Sequence, residues 1–378
     1  MPYPFPYILI VLLLETLYYF KEKTTNIKFQ QRYEYFAIAS FIVFFGFRGF
    51  ILTDWMSYYP YYKDLGWDNI LDFFDSDKIG YEPGFAFFTM LCKTFIPSYS
   101  LFILLITVFN TICIVNFAKK YTDNFILVLI LYKTFDGVLI MGNLLRNSIA
   151  ISLFLIAIPY LKKRKPIPYF SLCLIAISFH ISAFIYLPLY FFLHKCLNKW
   201  IYLAIFILVN IIFISHKSIV LILANLISGE DMTDKVTAYT ENMTNSIAII
   251  SIGYLERFMT GILIFLYYNK LKEMHDKSCI IINSVLIYFC MFFLLGQFEV
   301  VAKRFANLFI YGYWIIWADL LKCFYYKNNK KLFTIFIMLY CLIRTWSYTN
   351  NAGFMYENIL TGARSYNERL YYYNRNFH

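Results

Sequence analysis

Several short stretches of this chain place a charged or titratable side chain where an apolar run begins or ends. In NLLRNSIAISLFLIAIPYLKKRK, residues 143–165, Asn143 and Arg146 are three apart and share one face of a first helical turn. The small Ser148, Ala150 and Ser152 follow, which permit close packing or substrate approach. A guanidinium in that place suits phosphate oxygens, which it meets bidentately, and a helix N-terminus adds its own attraction for an anion. AISFHISA, 176–183, holds His180 between Ser178 and Ser182. Imidazole titrates near neutral pH and can take a proton from a hydroxyl. FFGFRGFILTDWMSYYPYYKDL, 44–65, carries Arg48 where the apolar run ends, then Asp54, Trp55 and Tyr58. An acid beside aromatic rings offers a sugar hydroxyl a hydrogen-bond acceptor, and the rings offer it a stacking face. Glu82 opens EPGF ahead of another apolar segment, Arg257 follows Glu256, and Arg304 begins RFANLFIYGY.

Each of these residues has a second reading that needs no chemistry. Arg48, Arg146 and Arg304 can snorkel to lipid headgroups, Glu82 can cap a helix, Arg257 can pair with Glu256, and His180 can be a hydrogen-bonded structural residue. Charges at membrane depth nevertheless cost about 2.5–3.5 kcal/mol each on insertion scales and mark function by default. Here they lean basic: Lys133, Lys303 and Arg344 join the four arginines, against Glu15, Asp136, Glu256, Glu299 and Asp319. That bias points to a phosphate-bearing lipid.

The elements that position these residues follow from composition. Of 378 residues, 60% are hydrophobic and 15% charged, and the mean hydropathy is +0.58. Soluble domains carry about 45–50% apolar residues, so the chain reads as an integral membrane protein. Apolar runs of span length recur throughout, and because lipid cannot satisfy backbone polar groups they must be helices. The expected fold is an all-α polytopic membrane protein with about 11–13 transmembrane helices. It reads as one transmembrane domain over 1–348, including outer loops 52–100 and 216–246, followed by a polar C-terminal tail, 349–378. The N-terminal run lacks a basic region and a cleavage site and reads as a retained first span. The segment 83–97 is apolar but short and contains Lys93, and 167–193 is long enough for two short helices joined as a hairpin.

Sidedness comes from the cations. If 83–97 lies in or re-enters the outer face, the clusters at 21–32, 119–120, 162–165, 195–199, 270–277 and 322–331 fall on one side, with 19 of the 34 Lys and Arg residues. The loop 52–82 carries seven carboxylates against two lysines, and 216–246 four against two. These loops then face outward, and Asp54 and Glu82 border an outward-facing cavity.

The net charge of +11 is scattered between spans, which argues for topology and against a nucleic-acid partner. There is no nucleotide-binding glycine loop, and no His, Cys or Glu stands at ligand spacing to His180, so no cofactor or metal site is expected. The eight cysteines lie in or at the ends of apolar runs, which argues against structural disulfides.

FRG at 47–49, D-W-x-x-Y at 54–58, E-P-x-F at 82–85, N-x-x-R-x-x-I-A at 143–150 and A-x-x-F-H-x-S-A at 176–183 together resemble the EpsG/Wzy-like family of O-antigen and exopolysaccharide polymerases. The resemblance covers residues 40–195 well; beyond 200 it rests on Lys303 and Arg304 opening an aromatic span. Trp55 stands where Tyr is expected, and Leu144–Leu145 replace a more usual polar residue before the arginine. The resemblance implies a GT-C-like glycosyltransferase of the bacterial inner membrane, its active site facing the periplasm or cell exterior. Such an enzyme transfers a growing glycan from undecaprenyl diphosphate to the hydroxyl of a new lipid-linked repeat unit, with a chain-length regulator as a further partner. On this expectation Arg146, with His180 or Asp54 as base, does the chemistry. Arg48, Trp55, Tyr58, Glu82, Asn143, Arg257 and Arg304 hold diphosphate and sugar. The alternatives are a flippase or transporter for the same lipid-linked oligosaccharide, and an O-antigen ligase.

Overall fold

The computed structural model describes residues 2–67, 80–215, 251–275 and 279–377. The loop 216–246 and most of the acidic part of 52–82 therefore lie outside the described residues. Among the described residues the structure is helical without strands, and an isolated antiparallel bridge joins Arg48 to Asn358. The chain gathers into two compact units, Met1–Tyr190 with Tyr326–His378, and Phe191–Tyr325.

The first unit contains α1 (Phe5–Lys23), α2 (Ile27–Gly46), α3 (Trp55–Asp64), α4 (Pro83–Phe95), α5 (Tyr99–Tyr121), α6 (Phe125–Gly142), α7 (Leu145–Lys162) and α8 (Pro166–Phe179). After α9 (Tyr186–Phe192) the second unit carries α10 (Lys199–Ile214), α11 (Ile252–Leu266), α12 (Tyr268–Met274), α13 (Ile280–Leu294), α14 (Glu299–Asn307) and α15 (Ile310–Cys323). The chain then returns to the first unit with α16 (Lys327–Thr349) and α17 (Tyr366–Phe377). Among the described helices, α5, α6, α7 and α16 are long and apolar enough to cross a membrane. The count of about 11–13 spans came from apolar runs, and several of those runs are shorter or broken helices here. At about 1.5 Å per residue, the 13 residues of α4 reach roughly 20 Å, less than the ~30 Å of a hydrocarbon core.

α6 is the inner pillar of the first unit, with 94% of its span buried, whereas α16 is 22% buried and presents an apolar surface. The pillar breaks at Lys133–Gly137. Phe135 leaves helical geometry, Asp136 has φ +60°, and a Cβ on Gly137 would sit 2.3 Å from the carbonyl oxygen of Tyr132. α16 takes up what the break releases: Arg344 Nε donates to the Thr134 carbonyl (3.3 Å) and Lys133 Nζ donates to Thr345 Oγ1 (2.7 Å). Two of the intramembrane cations thus stitch a helix kink.

The run 167–193 does fold into two short helices. A break at His180 separates them, and Tyr169 near the start of α8 meets α9, its hydroxyl donating to the Tyr186 carbonyl (2.5 Å) and its ring 5.2 Å from that of Tyr190. Lys93, which made 83–97 ambiguous, caps α3 from α4: its Nζ donates to the Lys63 and Leu65 carbonyls (2.5 and 2.6 Å). The tail beyond α16 packs back onto residues 47–56. Gly49 N–H donates to the Glu357 carbonyl (2.8 Å), Ile359 N–H to that of Phe47 (2.8 Å), and the fully buried Arg369 donates through Nε to that of Phe50 (3.0 Å).

One expectation is overturned in the second unit, where Cys196 and Cys279 form a disulfide. Each lies just ahead of a helix, α10 and α13, and these helices pack together, so a separation of 83 residues closes in space.

Candidate functional site

The site grows from the start of α7. Arg146, the second residue of that helix, pairs through Nη1 with the Glu82 carboxylate, donates through Nε to Tyr58 Oη (3.4 Å) and lies 4.5 Å above the Tyr81 ring. The pair is half-buried, with side-chain exposures of 22% and 17%, so a ligand can reach it. Glu82 immediately precedes Pro83, the first residue of α4, whose missing N–H costs nothing there. A Cβ on Gly84 would lie 2.1 Å from Ser178 Oγ, so only glycine lets α4 approach α8 this closely. That approach brings the other Glu82 oxygen to the backbone N–H of Ile181 (3.1 Å). Burial pushes the Glu82 carboxyl up, but the Arg146 guanidinium and the N–H donors outweigh it and hold the group below the ordinary carboxylate range. Burial raises the Tyr58 phenol to about 12, so at neutral pH it stays protonated beside Arg146.

His180 sits one residue before Ile181, in the extended break between α8 and the turn that follows. Its Nδ1 accepts the Ser182 N–H (3.1 Å) and lies 2.7 Å from Ser182 Oγ, which donates to Asn147 Oδ1 (3.3 Å). A neutral ring whose Nδ1 accepts a backbone N–H carries its proton on Nε2. Asn147, beside Arg146, is 1% exposed and its Nδ2 has no hydrogen-bond partner among the described residues, leaving a buried donor next to Arg146.

Asn143 closes the other side. Its Oδ1 accepts the N–H groups of Thr53 (3.0 Å) and Asp54 (2.7 Å), fixing the start of α3 against the junction of α6 and α7. Asp54 takes the N-cap place of α3 with its carboxylate 3.3 Å from Thr53 Oγ1, and Tyr58 stacks on Tyr81 at 5.4 Å. An apolar recess of about 220 Å³ lies against the same helices. Its lining includes Ile149, one turn past Arg146, Phe179, next to His180, and Phe88 of α4.

Of the residues singled out from sequence, Asp54, Tyr58, Glu82, Asn143, Arg146 and His180 are thus joined by a chain of contacts within one unit. Arg48 and Trp55 are placed differently. Arg48 is 5% exposed and its guanidinium turns inward to the carbonyls of Phe45, at the end of α2, and Met141, at the end of α6. Trp55 is buried against Phe50 and Tyr366, its Nε1 donating to the Leu52 carbonyl (2.9 Å). Arg257 and Arg304 belong to the second unit. Arg257 is buried, donates to Tyr288 Oη and the Gly253 carbonyl (both 2.8 Å) and lies 4.0 Å above the Phe292 ring. Glu256, 3.7 Å from it, accepts from Tyr313. Arg304 is exposed in the last turn of α14.

Tyr81 and Asn147 were missed from sequence. Each directly adjoins a residue that was named, Glu82 and Arg146, and neighbours of a charged residue at a turn were the available signal.

No curated protein and no solved structure matches this chain. The family model described as EpsG family matches residues 32–360, which include every element of the Arg146 site. The chain belongs to the EpsG family.

Proposed function

We propose that this protein is a membrane-embedded polysaccharide polymerase that transfers a growing glycan from undecaprenyl diphosphate to a sugar hydroxyl of an incoming lipid-linked repeat unit. The observation that carries this reading is the Arg146–Glu82 pair. It is an exchangeable, half-buried cation drawn from two sequence segments and tied to a third at Ile181, with an apolar recess beside it. A lipid diphosphate has these two halves, an anion for the guanidinium and a prenyl chain for the recess. Family membership supports the polymerase class.

In this reading Arg146 exchanges Glu82 for the diphosphate, and Asn147 Nδ2 and the Nε2–H of His180 add donors to it. Relieved of its cation, the Glu82 carboxylate regains basicity and takes the proton of the acceptor hydroxyl, with Asp54 as the second carboxylate at the site. The acceptor oxygen bonds to the anomeric carbon, the bond from that carbon to phosphate breaks, and the diphosphate departs with the electron pair. Direct displacement inverts the anomeric centre. The leaving group is weakly basic, so a second carboxylate acting as acid is not required. His180 then serves as a donor, which departs from the base role expected of it from sequence.

The test is reconstitution of the purified protein with undecaprenyl-diphosphate-linked repeat units. Ladders of longer lipid-linked glycan are expected. Translocation without elongation would mean a transporter, and transfer only to lipid A core a ligase.

A further inference from the structure

A second cavity, of about 400 Å³, lies within the first unit where the C-terminal tail folds over the start of α3 and α5. Its volume is within the ~300–1,000 Å³ of small-molecule sites. Phe50, Trp55, Tyr59, Tyr99 and Tyr366 meet along it. Tyr59 and Tyr366 are stacked at 4.7 Å and 14°, and Phe50 meets Tyr59 and Tyr366 edge-on at 5.3 and 5.9 Å. Ser100 and Ser365 supply hydroxyls and Arg364, paired with the Glu357 carboxylate, a guanidinium at the rim, while Arg48 borders the space with its guanidinium turned inward to the Phe45 and Met141 carbonyls. Among the described residues no carboxylate lines the space. Gly362, at φ +98°, turns the chain so that residues 363–366 form one wall. That wall lies beyond the residues 32–360 that match the family.

Flat rings at right angles, a hydroxyl rim and the Arg364 guanidinium suit a pyranose. Its C–H faces are apolar enough to lie on aromatic rings, while its hydroxyls and any carboxylate seek donors at the edge. Packing alone would explain why the tail docks, through Arg369 and the Gly49–Glu357 bond. It does not explain an open space lined by aromatic rings. We propose that this tail-walled cavity is a saccharide site that holds a sugar of the glycan away from the Arg146 pair and, through the wall at 363–366, sets which sugar is accepted. The role of that sugar as part of the polymerase substrate rests on the proposed function.

The experiment uses the full chain in nanodiscs and, as probe, size-fractionated oligosaccharides from partial acid hydrolysis of the producing cells' own surface polysaccharide. Binding is read by calorimetry, and elongation is followed in parallel. Ser100→Trp fills the cavity from α5, and Tyr59→Ala removes the stacked ring; both are checked for wild-type elution and thermal unfolding. The expected result is a Kd raised at least tenfold in each variant, with Arg146→Ala binding the oligosaccharide like wild type. Wild-type affinity in well-folded Ser100→Trp and Tyr59→Ala, or no binding by the wild-type protein, would overturn the proposal. The two readings fail separately: binding that responds to the cavity variants without any elongation removes the polymerase and keeps the site. Elongation with binding indifferent to both variants removes the site and keeps the polymerase.

Discussion

Arg48 and Arg146 look alike in sequence, each an arginine at the edge of an apolar run, yet they are spent differently. Arg48 is 5% exposed and bonded to carbonyls at two helix ends, Phe45 and Met141. These acceptors belong to the backbone and leave only if the helices do. Arg146 is half-buried and bonded to a carboxylate and a phenol, partners that an incoming anion can replace. Chemical type and exposure of the partner, more than position along the span, separate an arginine that holds the fold from one that can hold substrate.

The largest effect is expected from Arg146→Ala, with elongation falling at least a thousandfold while the protein still purifies folded, because the loss is confined to an exchangeable pair. Arg48→Ala should instead destabilise the fold by about 3 kcal/mol, read as a lower unfolding temperature in detergent, since it strands buried carbonyls at two helix ends. A variant that unfolds no earlier than wild type would remove the distinction. Gly84→Val comes next, because a side chain there meets Ser178 and drives Glu82 from Ile181; elongation should drop about a hundredfold, as expected when a group is displaced by about 1 Å.

Glu82→Gln separates the pair by pH. The folded carboxyl titrates below its ordinary range, so its stabilisation is present above the ordinary carboxylate pKa and is lost as pH falls through the lowered one. Acid unfolding scans should show that loss in the wild type and not in the glutamine variant; identical profiles would mean that the pair contributes nothing. The smallest effect is Tyr81→Leu, which removes a cation–π contact worth about 0.5–1 kcal/mol and should weaken elongation two- to fivefold.

Much of the site was legible because its chemistry sits in contiguous motifs. N-x-x-R brought Asn143 and Arg146 to one junction, although Asn143 ends α6 and Arg146 enters α7 with a break at Leu144 between them. EPGF marked a helix start, with Pro83 and Gly84 inside α4 and not in a turn before it, and the His180 break followed from a run too long for one short helix. What sequence did not show was direction and partnership. That the guanidinium of Arg48 turns inward depends on where α6 ends, and that Gly84 meets Ser178 depends on a crossing between segments some 90 residues apart. The Cys196–Cys279 disulfide was misjudged because sequence places both thiols at run ends without saying that those ends meet. Lys133 and Arg344 read as intramembrane charges, and the kink in α6 brings them to partners across the α6–α16 contact, Thr345 Oγ1 and the Thr134 carbonyl.

The central claim, that the Arg146–Glu82 pair receives the diphosphate of a lipid-linked glycan, is tested most directly by Arg146→Lys in the reconstituted elongation assay. Lysine keeps the charge but cannot grip two phosphate oxygens at once. The account predicts ladders slowed about a hundredfold, nearly as far as in the alanine variant, by a protein that folds normally; ladders formed at the wild-type rate would contradict it.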